Sequence, residues 1–210
     1  MDNDQLWTTI HHERTRLADL LDTLEPAAWD TPSLCEGWRV RDVAAHIIGT
    51  SDYSMPGMIF GALRAGGNFD KLIDRMARDQ GSRPIAEIVR RYRRNATSRR
   101  KPPVVKPMDP LMDVLVHSQD IAIPLGRDFP MPLEPAPAVA QHIWTRGFPF
   151  HADRKFAGIR FEAADVDYAV GDGSPVIGPI SGIVLTLTGR PAGAEQLSDP
   201  GVERVWTICG

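Results

Sequence analysis

The strongest constraint on the fold of this chain is a series of apolar residues at helical spacing over its first 125 residues. In "DQLWTTIHHERTRLADLLDTLEP" apolar side chains recur every three or four positions, Asp2 or Asn3 can cap the start, and Pro26 ends the run. The same spacing returns in "VRDVAAHIIGTSDYSM", "FDKLIDRMARDQ", "PIAEIVRRYRRNATSRR" and "MDVLVHSQDIAIPLG", with prolines or glycines between the segments. Four or five amphipathic helices with short breaks predict a helix bundle for residues 1–125.

The sequence changes character after residue 125. "RDFPMPLEPAP" is a proline-rich link, "AVAQHIWTRGF" has the spacing of one more short helix, and "GIRFEA" and "VDYAVG" alternate as strands do. We expect "DGSPVIGP" to form a turn, whereas "ISGIVLTLTG" fits either a buried helix or a buried strand that ends at Gly189. Residues 126–210 are therefore predicted to form a small α+β lobe, which makes the whole chain an α+β protein.

Composition restricts the class of protein and its partners. The chain has 210 residues, 42% of them hydrophobic, which is ordinary for a globular protein with a buried core. Its net charge of −3 gives no reason to expect nucleic acid or an anionic membrane as a partner. No apolar run reaches the ~18–20 residues that span a bilayer, and the acidic start "MDNDQLW" is unlike a signal peptide. We therefore expect a cytoplasmic protein, in which Cys35 and Cys209 are thiols by default.

One basic run, Arg90 to Lys101, departs from this balance because "RRYRRNATSRRK" holds seven cations in twelve residues. It could bind nucleic acid, form a rim that binds an anionic substrate or cofactor, or be the solvated face of a helix. Ile85, Ile88 and Tyr92 continue an apolar stripe through the segment, so most arginines fall on its opposite side. This placement favours the solvated face, and we predict no nucleic-acid partner.

Three side chains could hold a metal ion. His46 lies in the most apolar part of its helix, and Asp113 and His117 have an i, i+4 spacing that brings their Cβ atoms within ~6 Å of each other. In a bundle such side chains converge on the core, and two imidazoles with one carboxylate form the ligand set of a catalytic zinc or related ion. Spacing alone leaves three interpretations of the Asp113–His117 pair open: a surface contact, a buried structural hydrogen bond, or two ligands of a metal.

The surroundings of these residues carry weaker signals. Asp42 precedes His46 by one turn, where it could accept a hydrogen bond from the imidazole or complement the helix macrodipole. The remaining histidines, which we interpret as structural, show no spacing that points to a shared site: His11, His12, His142 and His151.

Three ordered motifs resemble the mycothiol-dependent maleylpyruvate isomerase family, part of the DinB-like superfamily. "PSLCEGWRVRDVAAHIIG" is similar to that family's entry to its second helix, with a Gly-Trp loop followed by Asp-Val-x-x-His. "MDVLVHSQDIAIPLG" resembles its second motif, and "VDYAVGDGSPVIGPISGIVLTLTGRPAG" resembles its C-terminal lobe. Together these motifs span most of the chain.

The resemblance implies a DinB-like four-helix bundle that holds a divalent metal, usually zinc, through His46, Asp113 and His117. Asp113 stands where the isomerases carry a glutamate, so its shorter side chain must approach the metal more closely. Asp42 and Asp120 would orient the imidazoles from behind, and Trp38 would anchor its loop by packing.

The activity that the resemblance implies is thiol-dependent. Mycothiol, bound to the metal as a thiolate, would add to a small electrophilic substrate, making the chain an isomerase or a thiol S-transferase. Arg190 and the arginines of the bundle are candidates for binding substrate carboxylates. The resemblance also leaves open a homodimer. The alternative function is a non-catalytic metal-binding or stress-response protein on the same bundle, which the departure at Asp113 would favour.

Overall fold

The structure, a computed structural model, describes residues 1–49, 51–52, 54, 68–103 and 105–209. Five helices follow one another in the first part of the described chain, with a short 3₁₀ helix at Pro26–Asp30: α1 (Asn3–Asp22), α2 (Val40–Gly49), α3 (Phe69–Gly81), α4 (Ile85–Asn95) and α5 (Asp109–Ala122). The later elements are α6 (Ala136–Thr145), α7 (Ala152–Lys155), β1 (Gly158–Ala163), β2 (Ala169–Gly171), β3 (Gly173–Gly178), α8 (Ile180–Leu187), α9 (Pro191–Ala194) and α10 (Val202–Cys209). The sequence also places Pro56, Gly57 and Gly61 after the second predicted helix, and these residues lie outside the described part of the chain.

Contacts within the chain divide it into two compact units, Met1–Phe129 and Pro130–Gly210. In the first unit α1 packs on α4 and α5, and α2 packs on the same two helices. Each of these four helices therefore packs against two others, which is the arrangement of a four-helix bundle. Helix α3 packs against α2. The predicted bundle is therefore confirmed.

The ends of the bundle helices follow from local sequence. Asp2 caps α1 as predicted, because its side chain accepts from the backbone of Gln5 while the Gln5 side chain accepts from the backbone of Asp2. Helix α5 begins at Asp109, earlier than its apolar spacing suggested, with Pro110 in the first turn where no hydrogen bond is lost. Gly126, the last residue of the predicted helical segment, adopts a left-handed φ of 58° shortly after the helix ends.

Helix α5 is buried on almost every side, so its polar side chains need partners inside the protein. The Ser118 hydroxyl donates to the carbonyl oxygen of Val114, and the Gln119 amide donates to that of Phe129. The same helix carries Asp113, His117 and Asp120, and α2, which packs on it, carries His46.

The second unit contains a three-stranded sheet in the order β2–β1–β3, with β1 antiparallel to β2 and parallel to β3. Our prediction of a turn for "DGSPVIGP" was wrong, because Gly173–Gly178 is strand β3. The turn is confined to the residues around Gly171 and Gly173, where a Cβ would come within 2.3 Å of a β1 carbonyl oxygen at each position. Pro175 is tolerated within this strand because β3 lies at the sheet edge.

The core of this unit lies between the sheet and helix α8, the segment that fitted either a helix or a strand. Most of α8 is buried, and it packs against α6, α9 and β1. Phe161 of β1 meets Phe156 edge to face, with ring centroids 5.3 Å apart, and both side chains are buried. Among the described residues of the whole chain, no helix combines the length and apolar character that a bilayer span requires.

Candidate metal centre

Helices α2 and α5 bring together the three side chains that the sequence singled out. His46, Asp113 and His117 each offer one ligand atom, and these atoms all lie within 4.8 Å of one another. The His46 and His117 rings meet edge to face at a centroid distance of 5.0 Å. The Asp113–His117 pair therefore lies beside a second imidazole rather than alone on the surface.

The chemistry of this group fits a divalent metal ion. Two imidazole nitrogens and one carboxylate oxygen are the protein ligands of many catalytic zinc sites, which keep a further position open. All three side chains are half-buried, so the group is screened from bulk water without being sealed. We describe the cluster as a candidate metal centre on these grounds.

Asp120 lies directly behind one of the candidate ligands. Its Oδ2 is 2.7 Å from Nδ1 of His117, and its side chain is fully buried. Burial lowers the pKa of His117, but hydrogen bonding to Asp120 and Cys35 outweighs this and raises that pKa to about 10. A carboxylate at one ring nitrogen fixes the imidazole and leaves Nε2 for a ligand. Asp120 thus has the contact expected of an orienting residue.

Asp42 is occupied by a different partner. Both of its carboxylate oxygens accept hydrogen bonds from Arg39, one of which comes from the Arg39 backbone N–H. These are the contacts of a residue that secures the start of α2, where its negative charge also suits the helix dipole. Its predicted role toward His46 stays a prediction.

The loop Pro32–Arg39, which we call the Cys35 loop, supports both histidines. Its ends pair as an isolated bridge, and Gly37 turns the chain with a φ of 73°. The Leu34 N–H donates to the backbone oxygen of Asp120 at 3.2 Å, which attaches the loop to α5.

Cys35 is a site residue that sequence reasoning missed. Its Sγ lies 3.1 Å from Oδ2 of Asp120 and 3.7 Å from Nδ1 of His117. These partners lie more than 80 positions further along the chain, so no local spacing could have revealed the contact. The available signal was its place just before the Gly-Trp of the first motif. Neither Cys35 nor Cys209 forms a disulfide, as expected.

Trp38, predicted to anchor its loop by packing, lies against the other histidine. Its ring is tilted at 57° to that of His46, with centroids 5.2 Å apart, and its indole N–H donates to Asp74 at 2.8 Å. Arg78 also bonds Asp74, and the two contacts hold the pKa of that carboxyl below its usual range. The indole therefore has a fixed orientation beside a candidate ligand.

The basic run makes many ion pairs within the bundle. Its aromatic residue, Tyr92, is fully buried, while several arginines contact carboxylates of other segments. The pairs are Arg91 with Asp52, Arg93 with Asp19 and Asp22, and Arg99 with Asp4. This pairing supports the interpretation of the run as a solvated helix face.

The fold and the site together define a four-helix bundle with candidate metal ligands on two helices that pack against each other. The model of the mycothiol maleylpyruvate isomerase N-terminal domain family matches residues 10–122, more than half of the chain. The chain belongs to this family.

Solved structures show the same fold over nearly the whole chain. The crystal structure of a mycothiol-dependent maleylpyruvate isomerase covers 90% of this chain and 90% of its own, with a TM-score of 0.65 and 13% identity. That of a histidine-to-alanine mutant of a mycothiol-dependent maleylpyruvate isomerase covers 94% of this chain and 92% of its own, with a TM-score of 0.63 and 12% identity. No curated protein matches the sequence significantly.

Proposed function

We propose that this chain is a metal-dependent enzyme that uses a low-molecular-weight thiol, mycothiol, to isomerise a small electrophile or to transfer the thiol to it. The observation that carries the proposal is the group of His46, Asp113 and His117, with ligand atoms within 4.8 Å of one another. The family and the solved structures of similar fold, which are mycothiol-dependent isomerases by name, support the choice of thiol.

Each residue of the centre has a distinct task in this proposal. His46, Asp113 and His117 would hold a divalent ion such as Zn²⁺, which supplies a Lewis acid able to deprotonate a thiol. Asp120 keeps the Nδ1 proton of His117 on its own side, so Nε2 faces away from the carboxylate. Trp38 packs against the His46 ring and would restrict water on that side.

A non-catalytic metal-binding protein is the second candidate function. The observation that favours it is the length of Asp113, which is one methylene shorter than the glutamate that the family resemblance leads us to expect. A more weakly held ion would suit storage or sensing better than repeated thiol activation. The two functions differ in what a thiol does at the metal.

Metal analysis of protein purified without a histidine tag tests the centre. We expect about one equivalent of Zn²⁺ or a similar ion per chain, lost in His46→Ala and in His117→Ala. His12→Ala is the matched control, because the His12 side chain is exposed and contacts only the neighbouring Glu13 among the pairs described. A folded wild type that takes up no Zn²⁺ would refute the enzyme proposal.

Thiol dependence is tested on the Co²⁺-substituted protein. We expect mycothiol to change the visible spectrum of the cobalt, and other small thiols to compete with it. An unchanged spectrum at saturating mycothiol, with the metal still bound, would favour the non-catalytic function. Turnover of a maleylpyruvate-type substrate would then separate an isomerase from a transferase.

A further inference from the structure

One oxygen of the buried Asp120 carboxylate has two neighbours. Oδ2 lies 2.7 Å from Nδ1 of His117 and 3.1 Å from Sγ of Cys35. Asp120 has no exposed surface, so water cannot replace either neighbour. A hydrogen bond to a buried carboxylate is worth more than the same bond at the surface. The Cys35 contact therefore bears directly on the carboxylate that holds His117.

The geometry is that of a thiol that donates to the carboxylate. A nucleophilic cysteine would give its proton to an imidazole nitrogen that a carboxylate supports from the opposite side of the ring. Here Asp120 already occupies Nδ1 of His117, and Sγ lies farther from that nitrogen, at 3.7 Å, than from the carboxylate oxygen. The S–H of Cys35 thus points to Asp120.

The backbone of the Cys35 loop fixes the position of the thiol. The Cys35 N–H donates to Oγ of Ser33 at 3.1 Å, and the Trp38 N–H donates to the carbonyl oxygen of Cys35 at 3.0 Å. The Leu34 N–H bonds the backbone of Asp120 itself. Cys35 is consequently held against Asp120 by main-chain bonds on both sides of it.

We propose that Cys35 is a positioning residue of the metal centre. Its thiol holds the Asp120 carboxylate in the orientation that directs His117 toward the metal. This inference rests on the proposed function, because it assumes that His117 ligates an ion. Loss of an outer hydrogen-bond partner of a metal-binding histidine typically lowers metal affinity about 10- to 100-fold. Cys35 is separated from the metal by one more hydrogen bond than Asp120 is, so we expect its loss to lower metal affinity by an amount at the lower end of that range.

The first test compares three single variants by chelator competition for Zn²⁺. We expect Cys35→Ala to lower affinity about 10-fold and Cys35→Ser, which keeps a donor, to recover most of the loss. Cys209→Ala is the matched control, because it removes the other thiol of the chain, which lies in the second unit. Circular dichroism of each variant establishes that the helices are intact.

A double-mutant cycle tests whether Cys35 acts through Asp120. If it does, the double variant Cys35→Ala/Asp120→Asn has the same Zn²⁺ affinity as Asp120→Asn alone. The reason is that Cys35 has no effect on the metal once the Asp120 carboxylate is gone. Additive losses would overturn the inference, since they would show that Cys35 acts independently of Asp120.

Three further outcomes are decisive. If wild type binds Zn²⁺ and Cys35→Ala binds it equally tightly, the Cys35 inference fails while the proposed function stands. If Co²⁺-substituted protein shows a thiolate-to-metal charge-transfer band that Cys35→Ser abolishes, Cys35 is a ligand and the positioning role is refuted. A wild type without metal would instead remove the proposed function itself.

Discussion

The ionisation of His117 links the candidate centre to pH. Burial lowers its pKa, yet Asp120 and Cys35 raise the pKa to about 10 in the metal-free protein. A histidine must be neutral to bind a metal, so an incoming ion displaces this proton. We expect apparent Zn²⁺ affinity to rise about tenfold per pH unit between about pH 7 and 9. Chelator competition at several pH values measures it, and a flat profile contradicts the assignment of His117 as a ligand.

The same shift predicts how the stability of the metal-free protein changes with pH. Because the folded pKa of about 10 exceeds the ordinary 6.5, the protonated His117 stabilises the fold fully below about pH 6.5. That contribution falls as pH rises through about 10. Urea unfolding of the metal-free chain should show this loss, and Asp120→Asn, which removes the main partner of the imidazolium, should reduce it. Equal slopes in both proteins would contradict the prediction.

In the proposed centre, the length of the Asp113 side chain would decide how firmly the ion is held. If its carboxylate is a ligand, we expect Asp113→Ala to lose more affinity than the about 10- to 100-fold typical of an outer hydrogen-bond partner. Asp113→Glu restores the longer side chain and should bind Zn²⁺ at least as tightly as wild type. Metal titration of the three proteins measures this, and Asp113→Ala with unchanged affinity would exclude direct ligation.

At the scale of elements, the contact between α2 and α3 depends on a glycine. A Cβ at Gly81 would lie 2.1 Å from Oδ1 and 2.9 Å from Cα of Asp42, which secures the start of α2. We expect Gly81→Ala to lower the free energy of unfolding by about 1–3 kcal/mol, since the backbone must move. Denaturant unfolding measures it.

Gly49→Ala is the matched control for that change. Gly49 ends α2, and among the described residues a Cβ there would meet no atom within 4 Å beyond its own helix and chain neighbours. Alanine is the better helix former, so this variant should be as stable as wild type or more stable by up to about 1 kcal/mol. If both alanines had the same effect, the close approach at Gly81 would not be the cause.

How far the sequence predicts an element depends on how local its causes are. The bundle helices can be predicted because their signals are local. Each segment carries its own apolar residues at a spacing of about 3.6, and the first also carries its own cap, Asp2. The prediction for β3 was wrong because this segment forms a strand only by pairing with β1, and no local signal in the segment reveals that pairing. Its edge position also allows Pro175, which has no backbone N–H to donate. Cys35 was missed for the same reason, since only the folded loop brings it to Asp120.

At the scale of the whole molecule, the candidate ligands all belong to one compact unit. Met1–Phe129 contains α2 and α5 and therefore every residue of the centre described above. We expect a fragment of residues 1–129 to fold and to bind Zn²⁺ with the affinity of the full chain. Metal titration and circular dichroism of the fragment test this, and a folded fragment without metal affinity would show that residues 130–210 are needed at the centre.

The Cys35 loop also has a consequence for engineering. Cys35 lies behind one histidine and Trp38 beside the other, so a single short segment contacts the surroundings of both. If the candidate centre binds a metal, we expect exchange of this segment between homologues, as one cassette, to change the preference for one ion over another while His46, Asp113 and His117 are kept. A combinatorial library confined to the cassette would then sample metal selectivity with very few mutated positions.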